Sequence, residues 1–383
     1  MKSVLYTSVL QTPILLLGSL IILVLGFKEL GGWDEMMRVC GAVTVNNYGD
    51  TMTNLIRSND DANFPWLGAL IGSAIIGFWY WCTDQFIVQR VLSGKNEMEA
   101  RRGTIFGAYL KLLPVFLFLI PGMIAFALHQ KYIGAGGEGF LPMLANGTAN
   151  ADAAFPTLVA KLLPAGVKGL VVCGILAALM SSLASLFNSS AMLFTIDFYK
   201  RFRPETPEKK LVGIGQVATV VIVILGILWI PIMRSVGDVL YTYLQDVQSV
   251  LAPGIAAAFL LGICWKRTSA QGGMWGLIAG MVIGLTRLGA KVYYSNAGEV
   301  ADSTFKYLFY DMNWLFFCGW MFLFCIIVVI VVSLATKAPT AEKIQGLVFG
   351  TATKEQKAAT RASWNHWDII HTVIILAITG AFY

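Results

Sequence analysis

The sequence predicts an all-helical protein that crosses a membrane several times. Hydrophobic residues make up 57% of its 383 residues, charged residues make up 13%, and the mean hydropathy is +0.69. Soluble domains carry about 25% charged residues, roughly twice this share. The apolar residues also fall into long uninterrupted runs, so the composition indicates a polytopic membrane protein.

Nine apolar segments are each long enough to cross a bilayer, since a span needs about 20 residues. We expect a single transmembrane domain over residues 1–383. Its spans are expected at 4–27, 65–93, 103–129, 166–199, 211–233, 238–265, 272–294, 314–336 and 364–383. The second and fourth are longer than one span needs, which allows a tilt, a break or an extension into the cytoplasm.

Basic residues predict which side of the membrane each loop faces. With Met1 inside, 17 Lys and Arg are assigned to the inner side, Arg90 among them, and 10 to the outer side, Arg287 and Lys291 among them, and Lys111 is left within a span. The positive-inside rule then favours a cytoplasmic Met1 and an external Tyr383, in a plasma or inner cell membrane. The basic residues are dispersed between spans and form no cluster of the kind that binds nucleic acid.

The remaining motif pattern argues against several kinds of chemistry. Six cysteines lie far apart without a CxxC pair, so neither a zinc site nor a disulfide framework is indicated. The sequence has no G-x-x-x-x-G-K-[ST] phosphate loop, so the chain itself is not expected to hydrolyse ATP. All three histidines lie at span ends, which leaves no serine a credible partner for hydrolysis. An enzyme is therefore not expected.

Polar residues at membrane depth are the first indication of function, because an ionisable group there is costly. The segment FWYWCTDQFIVQR (78–90) places four rings beside Asp84 and Gln85, and one helix face cannot hold four consecutive rings. Asp84 either has a functional role or caps a helix break or pairs with Arg90. Lys111 either contacts a polar group in a cavity or extends to the cytoplasmic face.

A serine-rich segment at 177–195 is the second concentration of polar groups. Ala178, Ser181 and Ser182 share one helix face, which presents two hydroxyls and a backbone carbonyl. Hard cations such as sodium prefer oxygen ligands, and transporters often assemble them from helix segments. The alternative is a stripe of small residues that packs against another helix.

The third concentration is YTYLQDVQSVLAPG (241–254), where Gln245 lies ahead of Pro253 and Gly254. A buried amide needs hydrogen-bond partners, which either a hydroxylated solute or a neighbouring helix supplies. Polar groups on several interrupted spans, without an ATP motif, suggest a carrier driven by an ion gradient.

Four segments resemble the sodium/solute symporter family, and most closely its sodium/glucose and sodium/galactose cotransporters. They are WYWCTDQFIVQRVLSGKN (79–96), GTIFGAYLKLLPVFLFLIPGMI (103–124), MSSLASLFNSSAMLFTIDFYKRF (180–202) and WNHWDIIH (364–371). The resemblance covers nearly the whole chain and implies the inverted-repeat fold of the leucine transporter. The chain would hold the last helix of the first repeat, all of the second, and three trailing helices. Because five N-terminal helices would be missing, we expect no transport by these 383 residues alone in proteoliposomes.

The resemblance also implies two sets of site residues. Ala178, Ser181 and Ser182 match half of a sodium site, with sodium as the coupling ion and no further cofactor. The residues that match the sugar site are Tyr80, Trp81, Lys111, Tyr241 and Gln245. Asp84 and Gln85 are candidates for a gate.

Two positions depart from the family pattern. Gly77 stands where sugar transporters usually have Asn or Thr, and Ser8 stands where they commonly have Asp. The resemblance predicts sodium-coupled symport of a glucose- or galactose-like sugar by alternating access. The alternatives are a sodium symporter of inositol, an organic acid or an amino acid, and a non-transporting sensor that retains the fold.

Overall fold

The computed structural model describes residues 2–144, 147–236, 240–296 and 301–382, and these are predominantly helical. The first α-helices are α1 Lys2–Leu30, α2 Trp33–Gly41, α3 Trp66–Cys82, α4 Gln85–Leu92, α5 Glu97–Pro114, α6 Ile120–Gly134, α7 Ala154–Leu162 and α8 Ala165–Met192. The others are α9 Lys200–Phe202, α10 Glu208–Val236, α11 Leu240–Cys264, α12 Ala270–Asn296, α13 Thr304–Lys306, α14 Trp314–Ala335, α15 Ala341–Ile344, α16 Lys354–Ala362 and α17 His366–Phe382. In the described ranges, extended pairing is limited to two isolated bridges, which confirms the all-helical prediction.

Three π-helical segments interrupt or extend these helices. They are Val115–Leu119, Leu193–Tyr199 and Tyr307–Asp311. The first lies between Pro114 and Pro121, which lack the backbone N–H that a regular α-helix uses. The chain nevertheless stays helical from Glu97 to Gly134. The two prolines therefore change the helical geometry here without ending the helix.

Seven helical stretches among the described residues are long and apolar enough to cross a membrane. They are Gln11–Leu30, Glu97–Gly134, Ala165–Phe202, Glu208–Pro231, Leu240–Cys264, Ala270–Ser295 and Trp314–Ala335. Helices α3 and α4 together meet the same criterion but are bent by 49°, and His366–Ala381 is a shorter apolar helix. These helices confirm a multi-pass membrane protein, and the assignment of nine spans in one domain remains a prediction.

The chain divides into two compact units, and each is described by itself. The first unit comprises Met1–Asn54 and Tyr109–Ile232, and the second comprises Leu55–Ala108 and Met233–Tyr383. In the first unit, α1 packs against α6 and α8 around the fully buried Ile22, Ile124 and Leu128. Gly18 lets α1 approach Val171 of α8, a close packing that small residues favour in membrane helices.

In the second unit, α11, α12 and α14 pack against one another, and α3 packs against α11 and α14. A Cβ atom on Gly280 would lie 2.9 Å from the Cα atom of Gly254, so α11 and α12 touch backbone to backbone. A Cβ atom on Gly72 would likewise lie 2.8 Å from the carbonyl oxygen of Leu315. Glycine at these positions brings the helices that carry Tyr80, Tyr241 and Gln245 into direct contact with their neighbours.

Candidate functional site

The aromatic segment lies at the end of α3, where the helix breaks. The Asp84 carboxylate accepts a hydrogen bond of 3.0 Å from the backbone N–H of Phe86, and so caps the N-terminus of α4. Aspartate is among the preferred residues at this position because it satisfies an N–H group that the helix leaves unpaired. Asp84 therefore takes the helix-capping role that the sequence left open, and the gate role of Asp84 and Gln85 remains a prediction.

The four consecutive rings are distributed around α3, since each residue turns the helix by about 100°. Phe78 and Trp79 are partly buried against the core of the second unit, whereas Trp81 is 51% exposed. The Tyr80 ring meets the Trp81 ring edge to face, with centroids 5.2 Å apart, and lies 6.2 Å from the Trp79 ring. Tyr80 is thus flanked by two rings that limit its movement.

Tyr241 and Gln245 lie one turn apart on α11, and their side chains interact directly. The Gln245 amide Nε2 donates a hydrogen bond of 3.0 Å to the Tyr241 hydroxyl. Tyr241 is 57% exposed, and Gln245 is partly exposed. An amide group has two donors and one acceptor with two lone pairs, so this bond leaves capacity for a hydroxylated ligand. The structure therefore brings together two of the predicted sugar residues.

Phe64 adds an aromatic ring to this site that the sequence did not indicate. Its ring centroid lies 6.5 Å from that of Tyr241 and 6.1 Å from that of Trp314, which it meets edge to face. The Trp314 Nε1 group donates to the carbonyl oxygen of Asn63 at 3.0 Å, and the Asn313 amide donates to that of Ala62 at 2.7 Å. The segment that carries Phe64 is therefore fastened to the start of α14.

The Asp61 carboxylate makes hydrogen bonds within the segment that carries Phe64. Its carboxylate accepts hydrogen bonds from the backbone N–H groups of Asn63 and Phe64 at 2.9 and 2.8 Å, and Arg57 lies 3.4 Å away. Burial by itself would raise the pKa of Asp61, but the two backbone hydrogen bonds and the Arg57 charge outweigh it. The pKa of Asp61 is therefore lowered, and the folded segment favours the charged carboxylate.

Lys111 lies in the last turn of α5 and is exposed. It belongs to the first unit, whereas Tyr80, Trp81, Tyr241 and Gln245 belong to the second. Within the second unit, the rings of Tyr80 and Trp81 are in contact and Gln245 is hydrogen-bonded to Tyr241. Lys111 belongs to the other unit, which is described by itself. Its role toward a sugar remains a prediction.

The predicted sodium residues lie along α8 in the first unit. Ala178 and Ser181 are half-buried, and Ser182 is exposed. Further along α8, the buried Ser189 hydroxyl donates to the carbonyl oxygen of Ser185 at 2.8 Å, a bond that satisfies a serine within its own helix. Ser185 and Ser189 are thus buried, as expected for residues that pack against another helix. Sodium binding by Ala178, Ser181 and Ser182 remains a prediction.

Three charged residues inside helices were not among the predicted functional residues. Arg287 of α12 is fully buried and pairs with Asp246 of α11 at 3.4 Å, and Lys291 pairs with the same carboxylate. The expectation that selected Asp84 and Lys111, that ionisable groups within spans are functional, would also have selected Asp246 and Arg287.

Long apolar helices, together with a bent helix pair whose break is capped by Asp84, define a multi-pass membrane protein. The family model described as Sodium:solute symporter family matches residues 1–280. The chain therefore belongs to the sodium:solute symporter family. Members of this family are sodium-coupled transporters and not enzymes.

Several relatives align with most of the chain. Over 405 residues it is 34% identical to a sodium/mannose cotransporter of Bos taurus, covering 100% of this chain and 68% of the relative. It is 35% identical to the sodium/myo-inositol cotransporter 2 of Homo sapiens, covering 92% and 54%, and 37% identical to the sodium/glucose cotransporter 1 of Ovis aries, covering 88% and 53%. The chain thus spans between about half and two thirds of the length of these curated relatives.

Proposed function

We propose that this protein carries out sodium-coupled symport of a glucose- or galactose-like sugar across a plasma or inner cell membrane. The observation that carries the proposal is the Tyr241–Gln245 pair on α11, an aromatic ring joined by a hydrogen bond to an amide with unused hydrogen-bonding capacity. An apolar ring face suits the apolar face of a pyranose, and an amide suits its hydroxyls.

The proposed sugar residues divide the binding among different chemical groups. The rings of Tyr80 and Tyr241 cover the apolar surface of the sugar, and Trp81 supports Tyr80 through its edge-to-face contact. The Gln245 amide supplies donors and an acceptor for hydroxyl groups. An open position beside Gly77, where a Cβ atom would have no heavy atom within 4 Å, accommodates water in place of a protein hydrogen bond.

Sodium is the proposed coupling ion, bound by the Ala178 carbonyl oxygen and the Ser181 and Ser182 hydroxyls. The backbone carbonyl oxygen has a second lone pair beyond its helical hydrogen bond, so it can accept a cation without breaking the helix. Sodium would favour the outward-open state by binding it more tightly than the inward-open state, which is the only way a ligand shifts such an equilibrium. Alternating access then carries both solutes inward.

A polyol such as inositol is the second candidate substrate. One relative, 35% identical over 92% of this chain, is named as a sodium/myo-inositol cotransporter. A ring covered with hydroxyl groups would present the same apolar face to Tyr241 and the same acceptors to Gln245. The two candidates therefore differ in ring shape and not in the kind of contact.

The test is uptake by the protein expressed from its complete reading frame and reconstituted in proteoliposomes. Radiolabelled glucose, galactose, mannose and myo-inositol are offered separately, with either an inward sodium gradient or potassium in its place. We expect at least one hexose to accumulate above its external concentration with the sodium gradient and not with potassium. A preference for myo-inositol would favour the second candidate, and binding without sodium-dependent accumulation of any solute would reject symport in favour of a sensor.

A further inference from the structure

A buried triad of charges lies inside the second unit, and its carboxylate, Asp246, follows the proposed sugar residue Gln245 on α11. The Asp246 carboxylate lies 2.5 Å from the Lys291 ammonium and 3.4 Å from the Arg287 guanidinium. Arg287 is 0% exposed, and the side chains of Asp246 and Lys291 are 12% and 22% exposed. One carboxylate from α11 therefore serves two cations from α12.

Arg287 also reaches the segment that leads into α14. It donates to the carbonyl oxygen of Met312 at 2.8 Å, just after the π-helical segment Tyr307–Asp311, and to that of Leu308 at 3.4 Å, within this segment. Its guanidinium carbon lies 4.0 Å from the centre of the Phe317 ring in α14. A single side chain thus joins α11, α12 and α14 through an ion pair, two carbonyls and a ring.

The position of the triad inside two apolar helices implies a large desolvation cost for its charged groups. Asp246 lies six residues from the start of α11 and Arg287 lies nine residues from the end of α12, or about 9 and 14 Å along the helices at 1.5 Å per residue. Ionised groups inside helices of this length and hydropathy are rare in membrane proteins and are usually functional. Hydrophobic residues of similar volume often replace buried ion pairs without loss of stability, so stability alone does not explain this one.

Gln245 precedes Asp246 in the chain, which gives the triad control over the direction of the Gln245 side chain. Neighbouring residues on a helix are rigidly offset by about 100°, so the contacts of Asp246 with α12 set the rotation of α11 about its axis. At a side-chain radius of about 5–6 Å, a rotation of about 20° moves the Gln245 end by about 2 Å. A misplacement of about 1 Å is enough to weaken a positioned contact strongly.

We propose that Asp246, Arg287 and Lys291 are positioning residues that fix the rotation of α11 and thereby aim Tyr241 and Gln245 at the substrate. The inference rests on the proposed function, because it assigns the triad a role in that same site. A triad that only stabilised the unit would change the amount of folded protein and leave the substrate contacts of each folded molecule unaltered.

The test compares a double substitution in the triad, which leaves the net charge unaltered, with an arginine substitution elsewhere in the unit. Asp246→Asn with Arg287→Gln removes one charge of each sign and keeps polar groups in place, while Lys291 can extend toward the helix end. The control is Arg267→Gln. Arg267 likewise donates to two backbone carbonyl oxygens near an end of α14, those of Leu334 and Thr336, but at the end opposite to the one that Arg287 contacts.

Two measurements are made on folded protein from the complete reading frame. The first is the KM for sugar uptake and the saturated rate per molecule. The second is the alkylation rate of Gln245→Cys, after the exposed cysteines Cys82, Cys173 and Cys264 have been replaced by serine. The triad variant is expected to raise the KM about tenfold at an unchanged saturated rate, and to change the alkylation rate by about fivefold or more. The control is expected to change neither quantity.

An unchanged alkylation rate and KM in the folded triad variant would overturn the proposal, as would equal changes in the control. If the double variant does not fold, Lys291→Met replaces it, since it leaves the Asp246–Arg287 pair intact, and the same two measurements decide with an expected change of about two- to threefold. If the parent protein shows no sodium-dependent sugar uptake, the proposed function fails, and the alkylation rate alone decides the role of the triad.

Discussion

Helices α8 and α11 carry the two halves of the proposed mechanism, and they hold their functional residues in different ways. In the most apolar 18 residues of each helix, 17% are buried in α8 and 39% in α11. The residues proposed for sodium share a face of α8 by their helical spacing. Tyr241 and Gln245 are held by a hydrogen bond, a neighbouring ring and the ion pairs of Asp246. The proposed α8 site is thus recognised from residue spacing, whereas the proposed α11 site is recognised from the contacts of its side chains.

The largest effect is expected on α8, where Ser181→Ala and Ser182→Ala should each weaken sodium activation. A hydroxyl ligand contributes about 1.4–2.8 kcal/mol, which corresponds to a roughly ten- to hundred-fold rise in the sodium concentration for half-maximal uptake. The measurement is the sodium dependence of sugar uptake at a saturating sugar concentration.

Ser189→Ala is the matched control for the serine variants. Its hydroxyl bonds to the Ser185 carbonyl oxygen within the helix, so its loss should leave sodium activation unchanged. If Ser189→Ala weakened sodium activation as much as Ser182→Ala, the serines of α8 would form a packing stripe without a distinct sodium face.

On α11, Gln245→Ala should raise the KM for sugar about tenfold, the equivalent of about 1.4 kcal/mol for lost hydrogen bonds to hydroxyls. Tyr241→Phe keeps the ring and removes only the acceptor of the Gln245 amide, so we expect a rise of about two- to threefold. Sugar uptake measured across a range of sugar concentrations checks both values. Equal effects of the two variants would mean that Gln245 binds the sugar only when the Tyr241 hydroxyl holds its amide.

A gain of affinity is expected from Gly77→Asn in α3. A Cβ atom at this position meets no heavy atom within 4 Å, so the new side chain fits without displacing a neighbour. An added amide near the proposed site should lower the KM about two- to fivefold by replacing a water-mediated contact. Competition between labelled and unlabelled sugar measures the change. A higher KM in a normally folded variant would show that the open space beside Gly77 is needed by the substrate.

The smallest effect concerns pH and the segment that carries Phe64. The pKa of Asp61 is lowered in the folded protein, so its contribution to stability is complete above its ordinary pKa of about 4 and is lost as pH falls through the lower folded value. The midpoint temperature of thermal unfolding should therefore decrease as the pH is lowered through this acidic range. Asp61→Asn should flatten that pH dependence in thermal unfolding followed by tryptophan fluorescence. An identical pH profile in the variant would assign the acid sensitivity to other groups.

Features that depend on neighbouring residues could be predicted from the sequence. Hydropathy predicted the long apolar helices, and capping of a helix break was one of the roles that the sequence left open for Asp84. Contacts between distant residues could not be predicted in this way. Phe64 and Tyr241 are separated by 177 residues, and Asp246 and Arg287 by 41, and no local pattern relates either pair.

The sequence by itself determined the all-helical membrane class, the family, and the residue types that suit sodium and sugar, because hydropathy and motif spacing are local properties. Only the tertiary structure decided which side of each helix faces its neighbours. In α11 and α12 the polar and apolar residues are not separated onto opposite faces, so their sequences do not define a rotation. The glycine contacts and the Asp246–Arg287–Lys291 triad supply that rotation, since backbone contact and buried charge each tolerate few alternative arrangements.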